Sequence, residues 1–126
     1  MIRRMLLVVP MVLLAGCGGG GGGSTHTATC SPSGTQLEIT AQNNSYDKDC
    51  LAVQAGQGFT ITFHNDDAGT PHDVTINTST GGQLFKGDIT TGINTTTYHV
   101  GALKPGTYRF VCTVHPGAMN GTFIVK

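Results

Sequence analysis

Tyr108-Arg109-Phe110-Val111-Cys112-Thr113-Val114-His115-Pro116-Gly117-Ala118-Met119 joins an alternating run to a loop rich in metal-binding side chains. Its first half alternates: Tyr108, Phe110 and Cys112 lie two apart, so a strand there turns all three side chains to one buried face. Its second half breaks at Pro116-Gly117, a turn signal that ends the strand and opens a loop. A thiol, an imidazole and a thioether therefore follow one another in Cys112, His115 and Met119, at a strand end and in the loop beyond it.

Those donor types select a metal. Thiolate and thioether are soft and imidazole suits copper, whereas Mg²⁺ or Ca²⁺ would require oxygen ligands. Two histidines and a cysteine in a trigonal set with a weak axial methionine form a blue-copper electron-transfer site. The loop supplies one histidine, so a second must come from upstream, and strand parity ranks the candidates. Phe59, Ile61 and Phe63 point inward together, which leaves His64 out of phase and solvated. His72, Val74 and Ile76 share a face, which puts His72 at the inner end of a strand. Tyr98 and Val100 face inward, so His99 faces outward, and His26 lies in a glycine-rich segment. His72 is the candidate.

Working outward from the site, the chain from Gln36 onward reads as all-β. Thr, Val, Ile, Phe and Tyr come in short runs separated by Gly, Asn, Asp and Pro, with no sustained helical period. The pattern predicts strands at 36–42, 51–54, 58–63, 72–77, 95–100, 107–112 and 121–125. About seven to eight short antiparallel strands in one domain imply a Greek-key β-sandwich or barrel.

The N-terminal fifth reads as export machinery. Arg3 and Arg4 form a positive region, Met5 to Ala15 is apolar but too short for a normal span, and Leu14-Ala15-Gly16-Cys17 closes it. That ending resembles a bacterial lipobox, which implies cleavage of residues 1–16 and lipidation of Cys17. The alternative is an ordinary secretory signal with a chance cysteine. Several acyl chains on one residue anchor a protein stably to a membrane surface without spanning it. Gly18 to Gly23 then form a flexible coil, so residues 17–34 read as a tether and 35–126 as the folded domain. No Lys and no flanking strand and helix accompany the glycines, so they do not read as a phosphate loop.

Without residues 1–16 the chain carries five basic and seven acidic side chains, a net charge of −2 with His neutral. It has no basic block and no aromatic-interleaved patch, which argues against nucleic acid as a partner. Among four cysteines, assigning Cys17 to lipid and Cys112 to metal leaves Cys30 and Cys50 as a pair, and an exported protein keeps disulfides. Their bridge closes a loop of about twenty residues and stabilises by roughly 3 kcal/mol in the chain-entropy picture. The competing reading, a second redox or metal site, lacks a Cys-x-x-Cys pair or an adjacent histidine.

Lys104-Pro105-Gly106-Thr107-Tyr108-Arg109-Phe110-Val111-Cys112 and His115-Pro116-Gly117-Ala118-Met119-Asn120-Gly121-Thr122 resemble the cupredoxins, in particular the plastocyanin, pseudoazurin and amicyanin group. Phe63-His64-Asn65-Asp66-Asp67 with Pro71-His72-Asp73-Val74 looks like the family's segment that bears the first histidine. The resemblance runs from about Leu37 to Val125. It implies a copper site with His72, Cys112 and His115 as equatorial ligands and Met119 as axial ligand. Beyond Met1, Met5 and Met11 the sequence has no other methionine. Two departures stand out. Three residues separate His115 from Met119, one fewer than in typical plastocyanins and one more than in amicyanins. Asp73 follows His72 where the family commonly has a hydrogen-bonding Asn, which leaves the usual contact to the cysteine loop an open question.

The resemblance implies a one-electron Cu(I)/Cu(II) carrier at the bacterial cell envelope, with no enzymatic activity of its own. A cytochrome or copper enzyme would act as donor and acceptor and meet it at an apolar patch around His115, the protein itself being a monomer. A copper storage, delivery or resistance protein would use the same four ligands, although the chain lacks the Met- or His-rich tracts of such proteins. A copper oxidase or nitrite reductase would need further histidines, and His26, His64 and His99 are scattered. Zinc could enter the same pocket as a mismetallated form.

Overall fold

A computed structural model describes residues 28–126. Cys17, the Gly18 to Gly23 run and His26 lie outside the described residues, as does the proposed cleavage site. Eleven strands run in chain order: β1 Gln36–Gln42, β2 Ser45–Tyr46, β3 Cys50–Val53, β4 Phe59–Asn65, β5 Pro71–His72, β6 Thr75–Thr78, β7 Gln83–Lys86, β8 Thr90–Thr91, β9 Asn94–Val100, β10 Gly106–Val111 and β11 Asn120–Val125. Two sheets, ordered β2-β1-β4-β9 and β3-β11-β10-β6-β7, form a sandwich, and β5 and β8 make a small separate ladder.

Alternation builds the core. β1 buries Leu37, Ile39 and Ala41, and β4 buries Phe59, Ile61 and Phe63, each set two residues apart. Phe59 stacks on Phe123 of the opposite sheet with ring centroids 5.4 Å apart, which ties the two layers together. Phe110 is fully buried opposite Gly121, and a side chain at position 121 would run into the Phe110 ring. The glycine is therefore a packing requirement, not a turn.

The sandwich expected from sequence is present, with three differences. The strands are not all antiparallel: β1 pairs with β4, and β3 with β11, in parallel. Parallel neighbours need long crossovers, which short-range pattern does not reveal. The run expected as one strand over 72–77 is broken at Asp73 and Val74 into β5 and β6, which belong to different ladders. Finally, β2, β7 and β8 were not anticipated; β2 and β8 have two residues each, too short for a period to show.

The expected bridge joins Cys30 to Cys50, Cα atoms 6.0 Å apart, and holds the segment before β1 against the start of β3. Among the described residues no helix is long and apolar enough to cross a membrane.

Candidate metal centre

Three segments converge at one end of the sandwich. β5 ends at His72, β10 delivers Cys112 one residue past its end, and the loop before β11 carries His115 and Met119. His72, Cys112 and Met119 are fully buried and His115 is half-buried. His72 Nδ1 lies 3.7 Å from Cys112 Sγ, His115 Nδ1 lies 3.9 Å from the same sulfur, and the two Nδ1 atoms are 3.2 Å apart. Donors arranged around one first-row ion in a trigonal plane, with bonds of about 2.0–2.1 Å to nitrogen and 2.3 Å to sulfur, stand about 3.8 Å from N to S. The observed N–S separations bracket that figure. The three donor atoms are thus close enough together to hold one copper ion.

The backbone fixes the loop. Cys112 N–H donates to the Met119 carbonyl at 2.9 Å, and Met119 N–H donates to the His115 carbonyl at 2.9 Å, so the loop closes on itself with Met119 buried. Asn120 Nδ2 donates to the Pro116 carbonyl at 3.0 Å, and Arg109 donates to Asn120 Oδ1 at 3.0 Å. Hydrogen bonds within the loop and to its flanking strand hold the site rigid.

Asp73, the departure noted in the sequence, makes a contact to the cysteine loop as a hydrogen-bond acceptor. Its Oδ1 receives the Thr113 N–H at 2.7 Å and the Thr113 hydroxyl at 3.0 Å, and its Oδ2 receives the Thr75 hydroxyl at 2.7 Å. Lys86 Nζ stands 3.7 Å away, so the fully buried carboxylate is both paired and hydrogen-bonded. Tyr46 packs on Phe110 at 5.4 Å and donates its hydroxyl to the Asp73 carbonyl.

Burial pushes the Cys112 thiol up from its ordinary value, although N–H groups of Asp73, His115 and Val114 pull the other way. A bound cation stabilises the thiolate against that burial. Asp67 is held below the usual carboxylate range, chiefly by the Asn44 N–H and, against partial desolvation, by the hydrogen bond to His72.

Among the described residues, His64 and His99 are apart from this cluster, as parity expected. His99 is exposed, and half-buried His64 bonds Thr95 and Glu38 on the outer face of the sheet. Sequence reasoning found His72 by treating 72–76 as one strand, yet Asp73, Val74 and Thr75 are all buried across the break. Asp67, Thr75, Thr113 and Tyr46 received no role from sequence. Their contacts to the site span two to 40 residues along the chain and follow no single spacing.

A family model described as a cupredoxin-like domain matches residues 11–125. No curated protein matches the sequence. Among solved structures the chain is similar to the dithionite-reduced auracyanin of the photosynthetic bacterium Roseiflexus castenholzii, at 25% identity over 73% of this chain and 97% of that one, with a TM-score of 0.66. It shares the fold of auracyanin A, a "blue" copper protein of the green thermophilic photosynthetic bacterium Chloroflexus aurantiacus, at 23% identity over 74% and 99% of the two chains and a TM-score of 0.66. Amicyanin from Paracoccus versutus has the same fold at 24% identity, 71% and 80% coverage and a TM-score of 0.54.

Proposed function

The chain belongs to the cupredoxin-like domain family, and from that premise we propose that it is a one-electron carrier holding one type 1 copper on His72, Cys112, His115 and Met119. The observation that carries this reading is the triangle of donor atoms, 3.2 to 3.9 Å on a side. When bound, copper supplies one-electron exchange between Cu(I) and Cu(II). The protein's part is to keep the donors in place through both states: His72 and Cys112 are locked at strand ends, and the hydrogen-bonded loop holds His115 and Met119. A site that does not rearrange adds little to the barrier for transfer, and the protein transforms no substrate.

His115 is the exit. Its ring is half-buried, 4.9 Å from that of His72, while Val114, Pro116, Gly117 and Ala118 around it are exposed. This small apolar rim suits brief contact with a redox protein such as a cytochrome or copper enzyme, since transient electron-transfer encounters use small interfaces. The lipobox-like Cys17 and the glycine tether support a monomer anchored at the bacterial cell envelope and free to reach such partners.

The deciding experiment adds Cu(II) to the purified protein and records visible absorption and electron paramagnetic resonance, with Cys112→Ser as control. An intense thiolate-to-copper band with a narrow copper hyperfine pattern, lost in the control, is expected. Ordinary square-planar copper signals in both proteins would remove Cys112 from the ligand set and overturn the reading. Reversible voltammetry then separates an electron carrier from a copper carrier, which would lose its metal on cycling.

A further inference from the structure

His72 is fully buried, and its two ring nitrogens face opposite ways. Nδ1 faces Cys112 and His115, while Nε2 meets the Asp67 carboxylate at 2.8 Å. With Nδ1 kept free as a donor atom, Nε2 carries the proton and gives it to Asp67. Without that acceptor the N–H would be unsatisfied in the interior.

The carboxylate is itself held. Asn43 and Asn44, in the turn between β1 and β2, adopt φ of 54° and 53°, a left-handed conformation that Asn tolerates well. Their N–H groups converge on Asp67: Asn43 reaches Oδ1, and Asn44 reaches Oδ2 at 2.9 Å. Below it, the Asp67 N–H donates to Asn65 Oδ1 at 3.1 Å, and the buried Asn65 amide donates to the carbonyls of Thr70 and Thr90 at 2.8 and 2.7 Å. Two loops thus hold one carboxylate against one imidazole. His115, by contrast, has no carboxylate partner among the described residues.

We propose that Asp67 is a positioning residue of the metal centre, locking the His72 ring through Nε2 so that Nδ1 faces Cys112 and His115, and biasing the site toward the more highly charged Cu(II) state. The inference rests on the copper reading above. Such outer carboxylates orient the ring and raise the basicity of its ligating nitrogen, and their loss typically costs about 10–100-fold in metal affinity. A more basic donor and a nearby negative charge favour Cu(II) over Cu(I).

The test uses the full-length protein as wild type, Asp67→Ala, Asp67→Asn and Asp66→Asn, the last removing an exposed neighbouring charge. Nitrogen-15 nuclear magnetic resonance on the metal-free proteins reads the His72 ring, and voltammetry after adding Cu(II) reads the potential. The wild type should show a slowly exchanging Nε2–H. Asp67→Ala should lose it and raise the ratio of Cu(I) to Cu(II) affinity at least tenfold, an upward shift of about 59 mV for one electron. Asp67→Asn should shift the ratio less in the same direction, and Asp66→Asn should leave it in place.

Wild-type protection and potential in Asp67→Ala would overturn the proposal, as would an equal shift from Asp66→Asn. If Asp67→Ala fails to fold, the near-isosteric Asp67→Asn decides by the same criteria. A wild-type protein without the thiolate-to-copper band would overturn the copper reading instead, while the metal-free resonance still decides whether Asp67 locks the ring.

Discussion

His72 and His115 offer the same atom, Nδ1, to the same point, yet they are built in opposite ways. His72 closes a strand, is fully buried, and has its far nitrogen bound to Asp67. His115 sits in a loop, is half-buried, and has exposed Val114, Pro116, Gly117 and Ala118 beside it. One side of the site is anchored and the other is open. A carrier needs both: a fixed geometry limits rearrangement, and an accessible ring edge lets a partner come close. The asymmetry follows from the folding pattern: His72 closes a strand, whereas His115 lies in the connection that turns the chain from β10 back to β11.

The largest effect expected is the loss of what the two histidines share. Cys112→Ser should abolish the charge-transfer band and weaken copper binding, since a hydroxyl is a harder, poorer ligand for this ion; survival of the band would end the type 1 reading. Next in size, and aimed at the asymmetry itself, is the pair His72→Gly and His115→Gly with added imidazole. The half-exposed position should be refilled from solution and recover its band. The fully buried one should not, because a position with no exposed surface gives a ligand from solvent no open route. Equal recovery at both positions would show that the buried side opens readily.

The open side was the more legible from sequence. Cys112, His115 and Met119 are local, and their spacing and residue types state their chemistry. The alternation of Tyr108, Phe110 and Cys112 also located the strand that delivers them, and Phe59, Ile61 and Phe63 gave the inner face of β4. The anchored side depends on contacts that sequence does not encode locally. Asp67 reaches back to the β1–β2 turn, Asp73 reaches 40 residues on to Thr113, and the parallel pairings of β1 with β4 and β3 with β11 set the frame for both. Asp73 shows why. Its carboxylate reveals that it accepts hydrogen bonds, whereas the donors it meets, Thr75 and Thr113, depend on the groups that the fold places opposite.

That buried side should also dominate stability. Asp73→Ala would leave the Thr113 N–H and the Thr75 hydroxyl without their acceptor, with an expected loss of about 1–3 kcal/mol, the range for leaving buried polar groups unsatisfied. Denaturant melts of the metal-free protein measure it, and a loss under about 1 kcal/mol would show that water takes over the contacts.

A smaller effect comes from Cys112 itself. Burial raises its thiol in the folded, metal-free protein, so the folded state holds its proton more tightly than the unfolded chain does. Below the unfolded thiol value, about 8.5, both states are protonated and stability is unaffected. As pH rises through that value the unfolded chain ionises first, and metal-free stability falls. The difference between wild type and Cys112→Ser over pH 8 to 9.5 isolates this contribution. A slope that is equal in the two proteins would place the ionisation elsewhere.

The smallest structural change tests the open side alone. Ala118 is exposed in the loop beside His115, and its N–H donates to the His115 carbonyl at 3.2 Å, a backbone contact that any side chain can keep. Ala118→Glu therefore adds a charge to the apolar rim without touching a donor atom. Electron exchange with a redox partner should slow, because a transient encounter must now desolvate a carboxylate. The visible band and the copper affinity should stay as in the wild type. Unchanged kinetics would move the exit away from His115, and an altered band would mean that the rim and the metal geometry are mechanically coupled. In that case the contrast between an anchored and an open side fails, because a change made on the outer surface of the loop would have reached the buried donors.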